Sequence, residues 1–212
     1  MTTNESRRLW ARVAGLMYLL VLLADLTGMQ MRHSLLGRSL TLTGSLLTVP
    51  LSLGLYFTTR VFQPVTAALA FGCRLTEAAI GIIATIAGFE AARTLLGQST
   101  LGITTLQFIA WNRTTNFGAL VFSIGSTLFF LVFLRSESIP RVLSWLGLLA
   151  SLLAFSACAA HLIWPSFSAM NMAAWIPMLF AEISTGCWLL IRSVSFQKLR
   201  LTPNATVFSG DV

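Results

Sequence analysis

The chain has 212 residues, of which 56% are hydrophobic and 10% charged, with a mean hydropathy of +0.80; soluble domains carry about 25% charged residues. This excludes an ordinary soluble enzyme and predicts a polytopic, all-α membrane protein with no room for a separate soluble domain. The net charge of +7 would suggest nucleic-acid binding in a soluble chain, but here the arginines gather at span ends. No nucleic-acid partner is expected; the lipid bilayer is the partner that composition implies.

Six spans are predicted, at about Trp10–Met31, Leu40–Thr59, Thr66–Ala92, Thr115–Leu134, Val142–Trp164 and Met172–Ile191. Before the first, Ser6, Arg7 and Arg8 resemble the start of a signal peptide. The run behind them is too long for a signal core and lacks an A-x-A-like cleavage site, so it reads as an uncleaved helix. In its outer half Asp25 shares a side with Tyr18 and Gly28, with His161 and Arg74 as expected partners. The second span places Thr41, Ser45, Thr48 and Ser52 on one face, with Pro50 in the middle.

The third span is the most informative. It is apolar for long enough to cross a bilayer yet holds Arg74 and Glu77, three residues apart and therefore on one helix face. Gly81, Ala84 and Gly88 continue that face, while Leu75, Ala79, Ile82, Ile83 and Ile86 form the opposite one. A charge near the bilayer centre costs about 2.5–3.5 kcal/mol on insertion scales, so the charged face should look inward. After it, residues 94–114 are too polar to span and too apolar to float free. An interfacial or re-entrant segment is expected there, with Trp111 at headgroup level.

The fifth span carries a small-residue track, Gly147, Ser151, Ala154 and Cys158, that ends in His161; the sixth has Pro177 before Glu182. By depth, Arg74, Glu77 and Glu182 are expected in one cluster. With all three charged, that cluster has one acid too many, which calls for a proton, a cation or a ligand.

Orientation follows from basic residues. With the N-terminus inside, Arg7, Arg8, Arg12, Arg60, Arg135, Arg141, Arg192, Lys198 and Arg200 fall on the inner side and Arg32, Arg38, Arg93 and Arg113 on the outer. An N-in/C-in topology in a bacterial inner membrane is therefore expected. Residues 1–9 would be a cytoplasmic tail, 10–192 a single six-helix domain and 193–212 a disordered cytoplasmic tail. Two hairpins are built alike, Arg60 to Pro64 and Arg135 to Pro140, each proline suiting the first turn of a helix.

Cys73, Cys158 and Cys187 are odd in number and lie in apolar spans, which suits small buried residues. With only His33 and His161 in the chain, no metal or haem site is expected, nor any other cofactor. No nucleophile elbow or glycine-rich phosphate loop is present. Asn112-Arg-Thr and Asn204-Ala-Thr match a glycosylation pattern that is short and frequent by chance.

The stretches Arg12-Val-Ala-Gly-Leu-Met-Tyr-Leu, Arg60-Val-Phe-Gln-Pro, Cys73-Arg-Leu-Thr-Glu-Ala-Ala-Ile, Leu134-Arg-Ser-Glu-Ser-Ile-Pro-Arg-Val-Leu, and Ala181-Glu before Trp188-Leu-Leu together resemble the bacterial integral membrane proteins grouped as domain of unknown function 4386. The resemblance covers nearly the whole chain and implies a six-helix inner-membrane protein without supplying an activity. The chain departs from the pattern in a shorter loop after its first helix and in Asp25, where a small residue is expected.

The residues thus leave three functional readings. One is a sensor or carrier binding a small amphipathic or lipid-like ligand against Arg74, Glu77 and Glu182, with Asp25 and His161 nearer the mouth. Another is a membrane enzyme acting on a lipid or quinone, with Glu77 or Glu182 as acid or base. The third is an assembly protein in which Arg74 and Glu77 merely lock helices together.

Overall fold

The computed structural model describes the backbone of residues 3–31, 34–95, 101–164 and 168–193, with side chains described over 5–31, 34–87, 116–164 and 171–193. It contains six helices: α1 (Thr3–Gln30), α2 (Leu35–Thr59), α3 (Pro64–Leu95), α4 (Leu101–Ser136), α5 (Arg141–Ile163) and α6 (Ser168–Ile191). All six are long and apolar enough to cross a membrane, and no strand occurs among the described residues. The all-α, six-span architecture predicted from hydropathy is what the chain adopts.

Local chemistry sets the boundaries. Ser34 caps α2, its hydroxyl accepting from the Gly37 N–H at 3.0 Å, which satisfies one of the donors a helix start leaves open. Pro64 opens α3 and Pro140 is the N-cap of α5, positions where a missing N–H is harmless. Between α4 and α5 the chain reverses through Glu137, whose φ of 53° is left-handed. The Glu137 carboxylate pairs with Arg141 at 2.6 Å, tying the turn to the helix that follows.

Each helix packs on the next in chain order and α6 returns to α1, so the bundle is a closed ring. Small residues permit the close approaches, as expected where helix association in lipid rests on packing. At the α1–α6 seam, a Cβ on Gly15 would meet the Leu190 nitrogen at 2.5 Å and the Gly186 carbonyl oxygen at 2.6 Å. Between α1 and α2, a Cβ on Gly54 would meet that of Ala14 at 3.0 Å; Gly147 of α5 lies under the Phe130 ring of α4. The ring interior is filled by Leu51, Leu55, Phe129, Phe130, Met178 and Leu189, all buried.

Two segments outside the predicted spans are helical. Residues 3–9, expected as a tail, continue α1; no proline or glycine interrupts Thr3 to Arg12, so nothing breaks the helix there. Of the segment 94–114, expected as interfacial or re-entrant, the backbone from Leu101 is helical and runs without a break into the fourth span. Its apolar positions Leu106, Ile109 and Ala110 recur at helical spacing, and no proline stops it. With 36 residues, α4 is about 54 Å long, against a hydrocarbon core of about 30 Å. The side chains of this extension, Trp111 included, lie outside the described residues, as do His33, Asn204 and residues 194–212.

Candidate functional site

Arg74 is the largest fully buried side chain in the described bundle, at 1% exposure. Arginine is almost never so buried without partners. Its Nη1 lies 2.9 Å from Glu77 Oε2, and the Glu77 side chain remains 22% exposed. This is an ion pair at close range rather than an aligned hydrogen bond, because Arg74 Nε and Nη1 and Glu77 Oε2 are all buried without a hydrogen-bond partner. The guanidinium carbon sits 4.5 Å from the centre of the Phe122 ring on α4, within cation–π range. Gly125, one turn further along α4, makes the space: a Cβ there would meet Arg74 Cγ at 3.3 Å and Cys73 Cβ at 3.0 Å.

Arg74 interacts electrostatically with Glu77, Tyr18, Glu182 and Asp25. The groups come from three helices. Glu77 shares α3 with Arg74; Tyr18 (2% exposed) and Asp25 are on α1, and Glu182 (8% exposed) is on α6. Since α1 and α6 adjoin in the ring and α3 lies across it, charges from three helices act on the one guanidinium. Two further hydroxyls, Ser126 Oγ on α4 and Thr185 Oγ1 on α6, are buried without a hydrogen-bond partner. Thr185 is three residues beyond Glu182 and so on the same helix face.

The cluster holds three carboxylates, Asp25, Glu77 and Glu182, around one guanidinium. With all four charged, it is two acids in excess. Among the described residues no three potential ligands converge as a metal set. The cluster is graded in exposure: Arg74, Tyr18 and Glu182 are buried, Glu77 is partly open and Asp25 is exposed. Asp25 lies against α2 at Gly44, where a Cβ would run into its Oδ1. The missing side chain at Gly44 is what lets the carboxylate lie there.

His161 occupies a different place. It is on α5, which α6 separates from α1 in the ring, so Asp25 does not reach it, contrary to the pairing expected from depth alone. Its Nδ1 is buried without a hydrogen-bond partner. The track leading to it is buried, with Ser151, Ala154 and Cys158 all at 0% exposure.

The hydroxyl face expected on the second span is present in α2. The hydroxyls of Thr41, Ser45, Thr48 and Ser52 each donate to the carbonyl four residues earlier, at 2.5 to 3.2 Å. They satisfy their own helix instead of tying α2 to its neighbours, a known habit of Ser and Thr in helices.

A second polar cluster was not singled out by sequence. Asn116 Nδ2 donates to the Cys158 carbonyl at 3.0 Å and its Oδ1 accepts from Asn171 Nδ2 at 3.2 Å. The Cys158 thiol donates to Asn171 Oδ1 at 3.5 Å. The available signal was two lone amides in apolar spans, 55 residues apart, which only the ring topology brings together.

The sequence profile of the family described as Domain of unknown function (DUF4386) matches residues 27–193, a range that includes Arg74, Glu77 and Glu182. No curated protein and no solved structure matches the chain. With a match over most of its length and six membrane-length helices in place, this multi-pass membrane protein belongs to the DUF4386 family.

Proposed function

We propose that the protein sits in a bacterial inner membrane with both termini cytoplasmic and binds a small amphipathic or lipid-like molecule, as a sensor or carrier. The molecule's polar end would rest against Arg74, Glu77 and Glu182, with Tyr18 beside them and Asp25 toward the opening. One observation carries this reading: a guanidinium at 1% exposure with donors unused, facing more carboxylates than it can neutralise. Arginine offers five N–H donors, and a buried donor left unmade costs free energy. A ligand whose polar end supplies acceptors for Arg74, and a donor or positive charge for the surplus carboxylates, would relieve both. The graded exposure from Asp25 through Glu77 to Arg74 supports a route inward.

Native mass spectrometry of protein purified from its own membrane tests this directly. A bound small molecule should accompany the wild type and disappear in the Arg74→Gln/Glu77→Gln variant. Equal co-purification in both proteins would sink the site and leave the helix-lock reading standing.

A further inference from the structure

The acids of the central cluster are not equivalent. Glu77 answers Arg74 directly, 2.9 Å from its Nη1. Asp25 stands near the end of α1 and is exposed, so water can hold its charge. Glu182 is the acid left over. It is 8% exposed and well inside α6, and the guanidinium it faces is already matched by Glu77. A carboxylate so enclosed needs a proton or a positive partner of its own.

The helix face that carries Glu182 suits an organic cation. Trp175, Met178, Glu182 and Thr185 recur at the spacing of one side of a helix. Met178 and Thr185, both at 0% exposure, turn this side inward. Thr185 Oγ1 has no hydrogen-bond partner, which leaves its lone pairs able to accept an N–H. Tyr18 of α1, 2% exposed, is within electrostatic reach of Glu182. The Trp175 ring packs on Phe122 of α4 with centres 5.4 Å apart. Aromatic rings beside a carboxylate hold an ammonium by ring faces as well as by charge. A hard metal ion takes six or more oxygens, and no three potential ligands converge among the described residues.

We infer that the ligand of the central site is an amphipathic amine in its cationic form, and that its binding at Glu182 displaces one proton. This rests on the central site binding a ligand, as proposed above, and adds the ligand's charge and its coupling to protons. The O–H bond of the Glu182 carboxyl breaks, the electron pair stays on the carboxylate, the proton leaves for the aqueous phase, and the ammonium pairs with the carboxylate. The net charge of the site is the same before and after, as a low-dielectric interior favours. The charged groups acting on Glu182 are Arg74, Glu77 and Asp25, with Tyr18 facing it from α1. The titratable groups of α5, the other helix packed on α6, are Arg141, Cys158 and His161, and none of them is among those that act on it. Cys187, on α6 itself, lies off the Glu182 face.

The test adds tetraphenylphosphonium, a lipophilic cation with no proton to give, to full-length protein in a neutral detergent. Calorimetry in buffers of different ionisation heat counts the protons released. Wild type should bind the cation and release about one proton, with an affinity that rises with pH by up to about ten-fold per unit, the limit for one exchanged proton. Tetraphenylborate, an anion of the same shape, should not bind. Glu182→Gln should weaken cation binding about ten-fold, as the loss of a charged partner does, and should release no proton. Thr127→Val, outside the site, should behave as wild type. Should Glu182→Gln not give monodisperse protein, Glu182→Asp keeps the acid and should keep the release; an Asp variant that binds without it would overturn the inference. Cation binding without proton release in wild type would also overturn it, as would release that persists in Glu182→Gln. Tetraphenylborate bound in an Arg74-dependent manner would keep the central site but reverse the sign assigned to its ligand. Binding of neither ion would overturn the inference, and a small molecule still co-purifying with wild type and lost in Arg74→Gln/Glu77→Gln would show that the central site itself survives.

Discussion

Two polar clusters are built into the same ring of helices, and they are finished differently. Around Asn116 the groups are neutral, and amide, thiol and carbonyl answer one another across α4, α5 and α6. Around Arg74 the groups are charged, the acids outnumber the base, and Arg74 Nε, Ser126 Oγ and Thr185 Oγ1 have no hydrogen-bond partner. A closed neutral network needs nothing from outside and serves packing. A charged one left with unused donors has capacity for something else, because buried polar groups are otherwise nearly always paired.

This contrast is open to substitution. Replacing Arg74 with Leu leaves Glu77 and Glu182 facing each other in a low-dielectric interior. The loss should be about 3–5 kcal/mol, the usual cost of removing one partner of a buried pair, read as an earlier transition in detergent unfolding. Adding Glu77→Leu to it should recover a large part of that loss, since the stranded carboxylate is then gone; a double variant weaker than the single would refute the charge argument. Asn116→Leu leaves the Asn171 amide without the oxygen it donates to and takes from the Cys158 carbonyl its second donor. In the same assay it should cost about 1–2 kcal/mol, in line with interhelical hydrogen bonds in membranes, and should leave any co-purifying ligand in place. The smallest effect is expected from Thr127→Val, which removes the hydroxyl that donates to Ser151 at 2.9 Å. About 0.6 kcal/mol is the average for such a bond. A Thr127 variant as damaging as that of Arg74 would show that a single neutral hydroxyl bond between helices weighs as much as the buried charge.

The spans were legible because twenty or so apolar residues in a row leave little choice but a membrane helix, and charges within one had to face inward. Thus Arg74 is buried while Ile83, on the other face, is 65% exposed. What hydropathy could not supply is which helices adjoin. Asp25 and His161 match in depth but stand on helices kept apart by α6, and Asn116 meets Asn171 only because α4, α5 and α6 follow one another around the ring. Tyr18 was visible as a face-mate of Asp25, but its place beside Arg74 and Glu182 depends on the α1–α6 seam. The helical run from Leu101 was not legible because its mixed polarity says where it would be comfortable and not what its backbone does. The hydroxyls of α2 show the same limit: a face of Ser and Thr looks alike whether it bonds to a neighbour or to its own carbonyls.

The seam at Gly15 and Gly186 bears on how the protein is made. Helices enter the membrane in the order of translation, and in a ring that follows chain order each new helix finds its neighbour already waiting. Only the last contact joins the two ends of the sequence, so closure must await α6. Glu182 is therefore the final acid of the cluster to arrive, and until it does the charges facing Arg74 come only from α1 and its own helix. A ribosome that stalls before α6 would leave an open crescent in which Arg74 keeps Glu77 and the Phe122 ring but lacks the charge of Glu182.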